Sequence, residues 1–315
     1  MGPRLDSITG WLTANPQWRG LTIVIVACLI ASAGWSMVYL LPGAAIRLPL
    51  PEGFWPQAGV VAVGLAALIG LCIHCSVRRH PKATRLIGGL SLALLIGLFL
   101  GYPYLKAFDQ GLMALVQEHR DSALDVAAVM VTRLGDFRTQ FIVAGVLTAL
   151  LFLARQWRQA LFFGTTLAVT ALGNTAAKYF FARIRPEVLA EPITSYSMPS
   201  GHSSGSFAFF LMLAVLAGRD QPPRMRAAWL LLGCLPALVV ALSRVYLGAH
   251  WPTDILAGAL LAVAVLAAGL SLSQRFMPLA AMPPRAWWLI LPTAVAIYGF
   301  HALWHLQHEI GRYAY

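Results

Sequence analysis

Residues 227–272 read AAWLLLGCLPALVVALSRVYLGAHWPTDILAGALLAVAVLAAGLSL. Two apolar runs, 228–246 and 254–272, flank a short polar join. About 20 apolar residues in a helix cross the ~30 Å hydrocarbon core of a bilayer. Both runs have that length, and neither alternates as a barrel strand does. Inside lipid a helix satisfies its own backbone groups. The stretch therefore predicts two transmembrane helices joined at one membrane face. The join carries Ser243, Arg244, His250 and Asp254. Polar and ionisable groups at such depth are rare and default to function.

Outward from this pair, seven more runs read the same way, near 21–41, 58–77, 86–105, 139–155, 160–181, 201–218 and 286–304. The expected fold class is all-α, a polytopic transmembrane helix bundle of about nine spans. Composition agrees. Of 315 residues, 59% are hydrophobic and 11% charged, against roughly 25% charged in an ordinary soluble domain. Soluble and disordered classes are excluded. Cys28, Cys72, Cys75 and Cys234 lie in or beside apolar runs and suggest no disulfide framework. The apolar run at the N-terminus is longer than a usual signal-peptide core.

The net charge of +11 is not spread evenly. With the N-terminus cytoplasmic, the inner loops hold Arg78, Arg79, Lys82, Arg85, Arg155, Arg158, Arg219, Arg224, Arg226, Arg275 and Arg285, against the single acid Asp220. The outer segments balance cations with acids. This is the positive-inside pattern, and it accounts for the charge without nucleic acid as a partner. Aromatic residues such as Trp55, Tyr102, Tyr104, Trp157, Trp251, Trp287 and Trp288 fall near span ends, as interfacial anchors do. One outer segment, 106–138, is long and mixed. Ser122 and Asp125 form a capping-box pattern ahead of an apolar run, and Phe108, Leu112, Leu115 and Val116 form a second apolar stripe. Two such helices fit either an interfacial pair that shapes a lipid access route or a plain connector that pads the outer ends of the spans.

In this topology three polar segments land on the outer face: Lys178 to Pro186, Pro199-Ser200-Gly201-His202, and Ser243 to Asp254. Lys178, Arg185 and Arg244 bring three cations to that face. A phosphoryl group needs such charge, and arginine adds a planar fork matched to its oxygens. Ser200 and Gly201 precede a helix whose free N–H groups favour an anion, and Gly201 permits close backbone approach. His202, in the same first turn, is placed to protonate a leaving oxygen. His250 and Asp254 stand four apart, so one helical turn puts both on one side. A carboxylate on Nδ1–H leaves Nε2 free to attack and steadies the imidazolium that forms. The cations serve the transition-state charge, so no metal and no cofactor are required.

K-x6-RP, PSGH and SR-x5-H-x3-D, complete at 178–186, 199–202 and 243–254, resemble the motifs of the type 2 phosphatidic acid phosphatase superfamily, which includes glucose-6-phosphatase and the vanadium haloperoxidases. The resemblance implies that Lys178, Arg185, Ser200, Gly201 and Arg244 bind phosphate. It implies that His202 is the general acid, that His250 becomes a phosphohistidine and that Asp254 orients it. Arg183 matches an accessory arginine of the family. The implied function is an integral membrane phosphatase acting on phosphatidic acid, phosphatidylglycerol phosphate, undecaprenyl diphosphate or lipid A phosphate. Its partners are then the lipid substrate and membrane lipids, and its place a bacterial-type inner membrane with the site periplasmic.

The resemblance covers a core at 86–275, expected to hold six helices. Residues 1–85 add spans at the front, and 276–315 add one span and a tail. Two other functions share the motifs: a phosphotransferase that passes the phosphoryl group to a lipid or sugar, and a non-enzymatic lipid carrier or scaffold with a relic site. Glu187 and Glu191 read as a solvated loop, and His301, His305 and His308 as an interfacial helix face rather than a metal site. Asn174 reads as a hydrogen-bonding group within the bundle.

Overall fold

A computed structural model describes residues 50–78, 82–189 and 193–304, together with 306, 310, 311 and 313. The expected span at 21–41 lies outside the described residues, as do Cys28, Glu191, His305 and His308. Among the described residues ten α-helices follow in order: α1 (Phe54–Arg78), α2 (Ala83–Gly101), α3 (Lys106–Glu118), α4 (Ser122–Arg133), α5 (Phe137–Leu153), α6 (Trp157–Phe181), α7 (Gly201–Ala217), α8 (Pro223–Tyr246), α9 (Pro252–Phe276) and α10 (Pro284–Leu303). A short 3-10 turn, Tyr102–Leu105, links α2 to α3. Among the described residues there is no strand.

Eight of the nine expected spans are therefore helices. Among the described residues six helical stretches are long and apolar enough to cross a membrane, or seven if α4 and α5, bent by 43°, count as one span. The shorter α7, Gly201–Ala217, lies inside the bundle and has many buried residues. The 106–138 segment forms the two short helices its patterning suggested, α3 and α4. Asp125 accepts from Arg120 at 2.9 Å; the Ser122 side chain of the expected capping box lies outside the described residues.

The main core joins Val143, Leu147 and Leu151 of α5, Phe162 and Phe163 of α6, Phe209 and Met212 of α7, and Ile290 and Tyr298 of α10. Around it, Val60, Leu172, Leu231, Leu235 and Val295 point outward and are exposed. Apolar residues on the outside as well as the inside mark a bundle solvated by lipid. Helices α7, α8 and α9 meet at the centre, and small residues set how closely. A Cβ on Gly258 of α9 would lie 2.6 Å from the Ser200 carbonyl oxygen and 2.9 Å from Ser203 Cβ. A Cβ on Gly233 of α8 would lie 2.7 Å from the Phe210 carbonyl oxygen. Because consecutive spans run in opposite directions, the end of α6, the start of α7, the end of α8 and the start of α9 share one end of the bundle. All three motifs are at that end.

Candidate active site

His250 sits in the short join between α8 and α9, and its side chain is 1% exposed. Its Nδ1 lies 3.4 Å from Asp254 Oδ2, and its Nε2 lies 2.9 Å from Arg185 Nη1. A guanidinium only donates. Nε2 therefore presents a lone pair, and the proton resides on Nδ1, facing the carboxylate. Burial, then Arg185, Arg244, Lys178 and His202, hold its proton affinity well below the ordinary imidazole value. Four motif side chains thus act on one ring, so the three motifs converge.

Asp254, fully buried, is fixed on every side. It is the third residue of α9, where it accepts the Trp251 N–H at 2.9 Å and so helps cap its own helix. Ser197 donates to the same oxygen, and Arg183 Nη1 donates to the other at 2.7 Å. Arg183 is also bound to Asp109 of α3 at 2.5 Å and lies over the Tyr102 ring. Asp109, 1% exposed, accepts the Thr253 N–H at 2.9 Å and the Thr253 hydroxyl at 2.6 Å. Arg183 thus contacts the carboxylate behind the histidine rather than the space in front of it. Ala182 makes this possible. It leaves α6 at φ 46°, a left-handed turn unfavourable by about 1–2 kcal/mol for a residue with a Cβ, and sends Arg183 back over the site.

The three cations are held by neutral acceptors. Lys178, in the last turn of α6, donates to the Tyr196 carbonyl. Arg185 donates to the Ser195 carbonyl at 2.7 Å, the Ser195 hydroxyl at 2.9 Å and the Ala249 carbonyl at 2.6 Å. Burial and the nearby Arg244 push its pKa down to about 10, which still leaves it charged at neutral pH. Arg244, 2% exposed, donates from Nη1 to Thr132 Oγ1 and to the Tyr313 hydroxyl, both at 2.8 Å. Its Nε is buried with no partner.

Ser200 caps α7, accepting from the Ser203 N–H at 3.4 Å. A Cβ on Gly201 would lie 3.4 Å from Asn174 Oδ1, an ordinary contact, so packing within the protein does not demand glycine there. Asn174 donates to the Pro199 carbonyl at 3.3 Å and to the Ser204 hydroxyl at 3.0 Å, which ties α6 to the start of α7. His202 Nε2 makes no hydrogen bond but lies 3.4 Å from Asp136 Oδ1. The sequence places no acid near His202; the fold does. The approach needs Gly135, where a Cβ would lie 3.0 Å from the His202 ring.

The structure thus brings His202, His250, Asp254, Lys178, Arg185, Ser200, Gly201, Arg244 and Arg183 to one end of the bundle. Sequence reading missed Asp109, Thr132, Asp136, Ser197, Thr253 and Tyr313, all in the same network. Glu187 is exposed. Among the described residues no three His, Cys, Asp or Glu side chains cluster as metal ligands. Beside the site an apolar groove of about 520 Å³ runs between α1, α2 and α9, with Val60, Leu94, Leu98 and Leu256 in its walls.

Residues 159–278 match the PAP2 superfamily. An undecaprenyl-diphosphatase of Sulfolobus acidocaldarius is 35% identical over 127 residues, which are 36% of this chain and 55% of that protein. Phosphatidylglycerophosphatase B of Bacillus subtilis is 32% identical over 91 residues, 27% of this chain and 43% of that one. Lipid phosphate phosphatase gamma of Arabidopsis thaliana is 34% identical over 116 residues, 35% and 51% of the two chains. The chain spans about half the length of these curated relatives. The crystal structure of a transmembrane PAP2 type phosphatidylglycerolphosphate phosphatase from Bacillus subtilis superposes with a TM-score of 0.55 at 20% identity, over 61% of this chain and 98% of that one. At that identity the likeness concerns the fold.

Proposed function

We propose, from the premise that residues 159–278 form a PAP2 superfamily domain, that the protein is an integral membrane phosphatase. It hydrolyses a lipid phosphomonoester or diphosphate through a phosphohistidine. The observation that carries this reading is the state of His250: buried, Nδ1 toward Asp254, and Nε2 offering a lone pair amid Arg185, Lys178 and Arg244. An imidazole so held is a nucleophile whose target is an anion.

The steps follow from that arrangement. The phosphoryl group takes hydrogen bonds from Arg185, Lys178, Arg244 and the N–H groups opening α7. Arg185 then turns from Nε2 to the substrate, and the lone pair is released. Nε2 attacks phosphorus, the bond to the lipid oxygen breaks, and His202 gives that oxygen a proton. Asp254 steadies the positive ring, with Arg183 holding the carboxylate. Water then attacks the phosphohistidine, giving its proton to His202 and releasing inorganic phosphate and free His250. Fixed cations aimed at the phosphoryl oxygens supply the electrostatic stabilisation.

The relatives' names, all phosphatases of lipid phosphates or diphosphates, support the substrate class. The apolar groove beside the site suits a hydrocarbon chain. The charge asymmetry of the loops supports a cytoplasmic N-terminus and a periplasmic site in a bacterial-type inner membrane. Within this reading 86–275 is the catalytic core, with extra helices before and after it.

Phosphate release by the purified protein tests the function, using lipid monophosphates, a polyprenyl diphosphate and water-soluble esters with no acceptor alcohol present. Hydrolysis of at least one lipid phosphate is expected, and it persists in EDTA because the protein supplies the cations. Complete loss on chelation, restored by Mg²⁺, would contradict the mechanism. Consumption of the lipid phosphate only when an acceptor alcohol is added, with the phosphoryl group recovered on that alcohol and not as free phosphate, would make the protein a transferase.

A further inference from the structure

The matched family segment ends at 278, yet one residue far beyond it reaches the site. Helix α10 runs back toward the catalytic end of the bundle, and the described residues after it lie at that end. Leu306, Ile310 and Tyr313 pack with Val129 of α4 and with Leu247 and Ala249 of the catalytic join. The tail is also pinned by its backbone: Arg120 Nη2 donates to the Tyr313 carbonyl at 2.6 Å. Tyr313 is 8% exposed. Its hydroxyl accepts from Arg244 Nη1 at 2.8 Å, and the Arg244 guanidinium carbon lies 5.4 Å from its ring centroid.

We propose that Tyr313 is a positioning residue of the phosphate site, holding the Arg244 fork so that its Nε edge stays open for a phosphoryl oxygen. This rests on the phosphatase reading above. Arg244 has too much freedom to be placed by its own helix alone, because a long side chain keeps many rotamers unless its tip is bound. Here Thr132 and Tyr313 bind one nitrogen of the tip and the aromatic ring lies against it. The buried Nε keeps no partner, and a buried donor left unpaired is unfavourable unless a ligand supplies the acceptor. A tail that plugged the phosphate seat would hydrogen-bond to the other cations as well. The hydrogen bonds of Lys178 and Arg185 instead go to Ser195, Tyr196, Ala249 and His250, and none goes to Tyr313. The last span and tail thus serve to carry a phenol to the catalytic end.

Tyr313→Phe tests this, because it removes the hydroxyl while keeping the ring and its packing. Inorganic phosphate binding by calorimetry and kcat/KM on a lipid phosphate are measured in the full chain. Both should weaken by roughly ten- to a hundredfold, the scale of one hydrogen bond to a charged group, with the helical fold retained. In an Arg244→Lys background, where no fork remains to orient, the same substitution should change phosphate binding by less than about twofold. Unchanged or tighter phosphate binding in Tyr313→Phe would overturn the proposal and make the tail a plug or a passive cover. An equal loss in the Arg244→Lys background would also overturn it. A wild-type protein that neither binds phosphate nor releases it would instead defeat the phosphatase reading beneath.

Discussion

In the proposed mechanism Asp254 orients His250 only while its own carboxylate is fixed, and Arg183, itself held by Asp109, fixes it. Arg183 bridges the two acids, Asp254 at 2.7 Å and Asp109 at 2.5 Å. Removing one partner of such a buried pair is costly because it strands the other charge. Asp109→Asn should therefore lower kcat/KM by about tenfold to a hundredfold, the effect of losing a hydrogen bond to a charged group. Substrate KM should hold within about threefold on the same scale, because Asp109 faces away from the phosphate. A variant with normal kcat and a raised KM would place Asp109 in substrate binding instead. Asp109 also shows why part of the site was illegible in the sequence. Lys178, Arg185, Ser200, His202, Arg244, His250 and Asp254 stand in spaced motifs because phosphoryl chemistry dictates their types. Asp109, Thr132 and Asp136 come from two short helices and a bend whose position is set by packing, and nothing in their local sequence marks them.

At the scale of elements, the site depends on how closely α9 approaches the start of α7. That approach was not readable from hydrophobic runs, which give span length but not the packing between spans. Gly258 is where it is decided: a Cβ there would meet the Ser200 carbonyl at 2.6 Å, Ser203 Cβ at 2.9 Å and the Ser204 nitrogen at 3.0 Å. Two of these are backbone atoms and cannot swing aside. Gly258→Ala should separate the helices, lower stability by about 1–3 kcal/mol and remove most activity while helical content persists. Gly173→Ala is the control, since its Cβ would lie 3.6 Å from Leu261 Cδ1, an ordinary contact. Equal melting temperature and turnover in both variants would show that the α7–α9 contact does not set the site. Eight of the expected runs were legible as helices because lipid demands long apolar helices, and the ends of α6 to α9 follow from their order.

For the whole molecule, the charge of the loops and the position of the motifs make one joint claim, that the catalytic end faces the periplasm. A cysteine in place of exposed Glu187, in a chain cleared of the native four cysteines, should react with an impermeant thiol reagent on intact spheroplasts. Thr253, although closer to the nucleophile, is fully buried and unsuited to this test. Labelling only after lysis would turn the site, and its lipid pool, to the cytoplasmic leaflet. The central claim is that the fold gathers three distant motifs around one nucleophile, His250, and it is tested most directly by trapping the phosphoenzyme. Wild type, His202→Ala and His250→Ala are quenched during reaction with a radiolabelled lipid phosphate. The account predicts acid-labile label on wild type and on His202→Ala, and none on His250→Ala. Label that persists on His250→Ala but vanishes from His202→Ala would contradict it and exchange the roles of the two histidines.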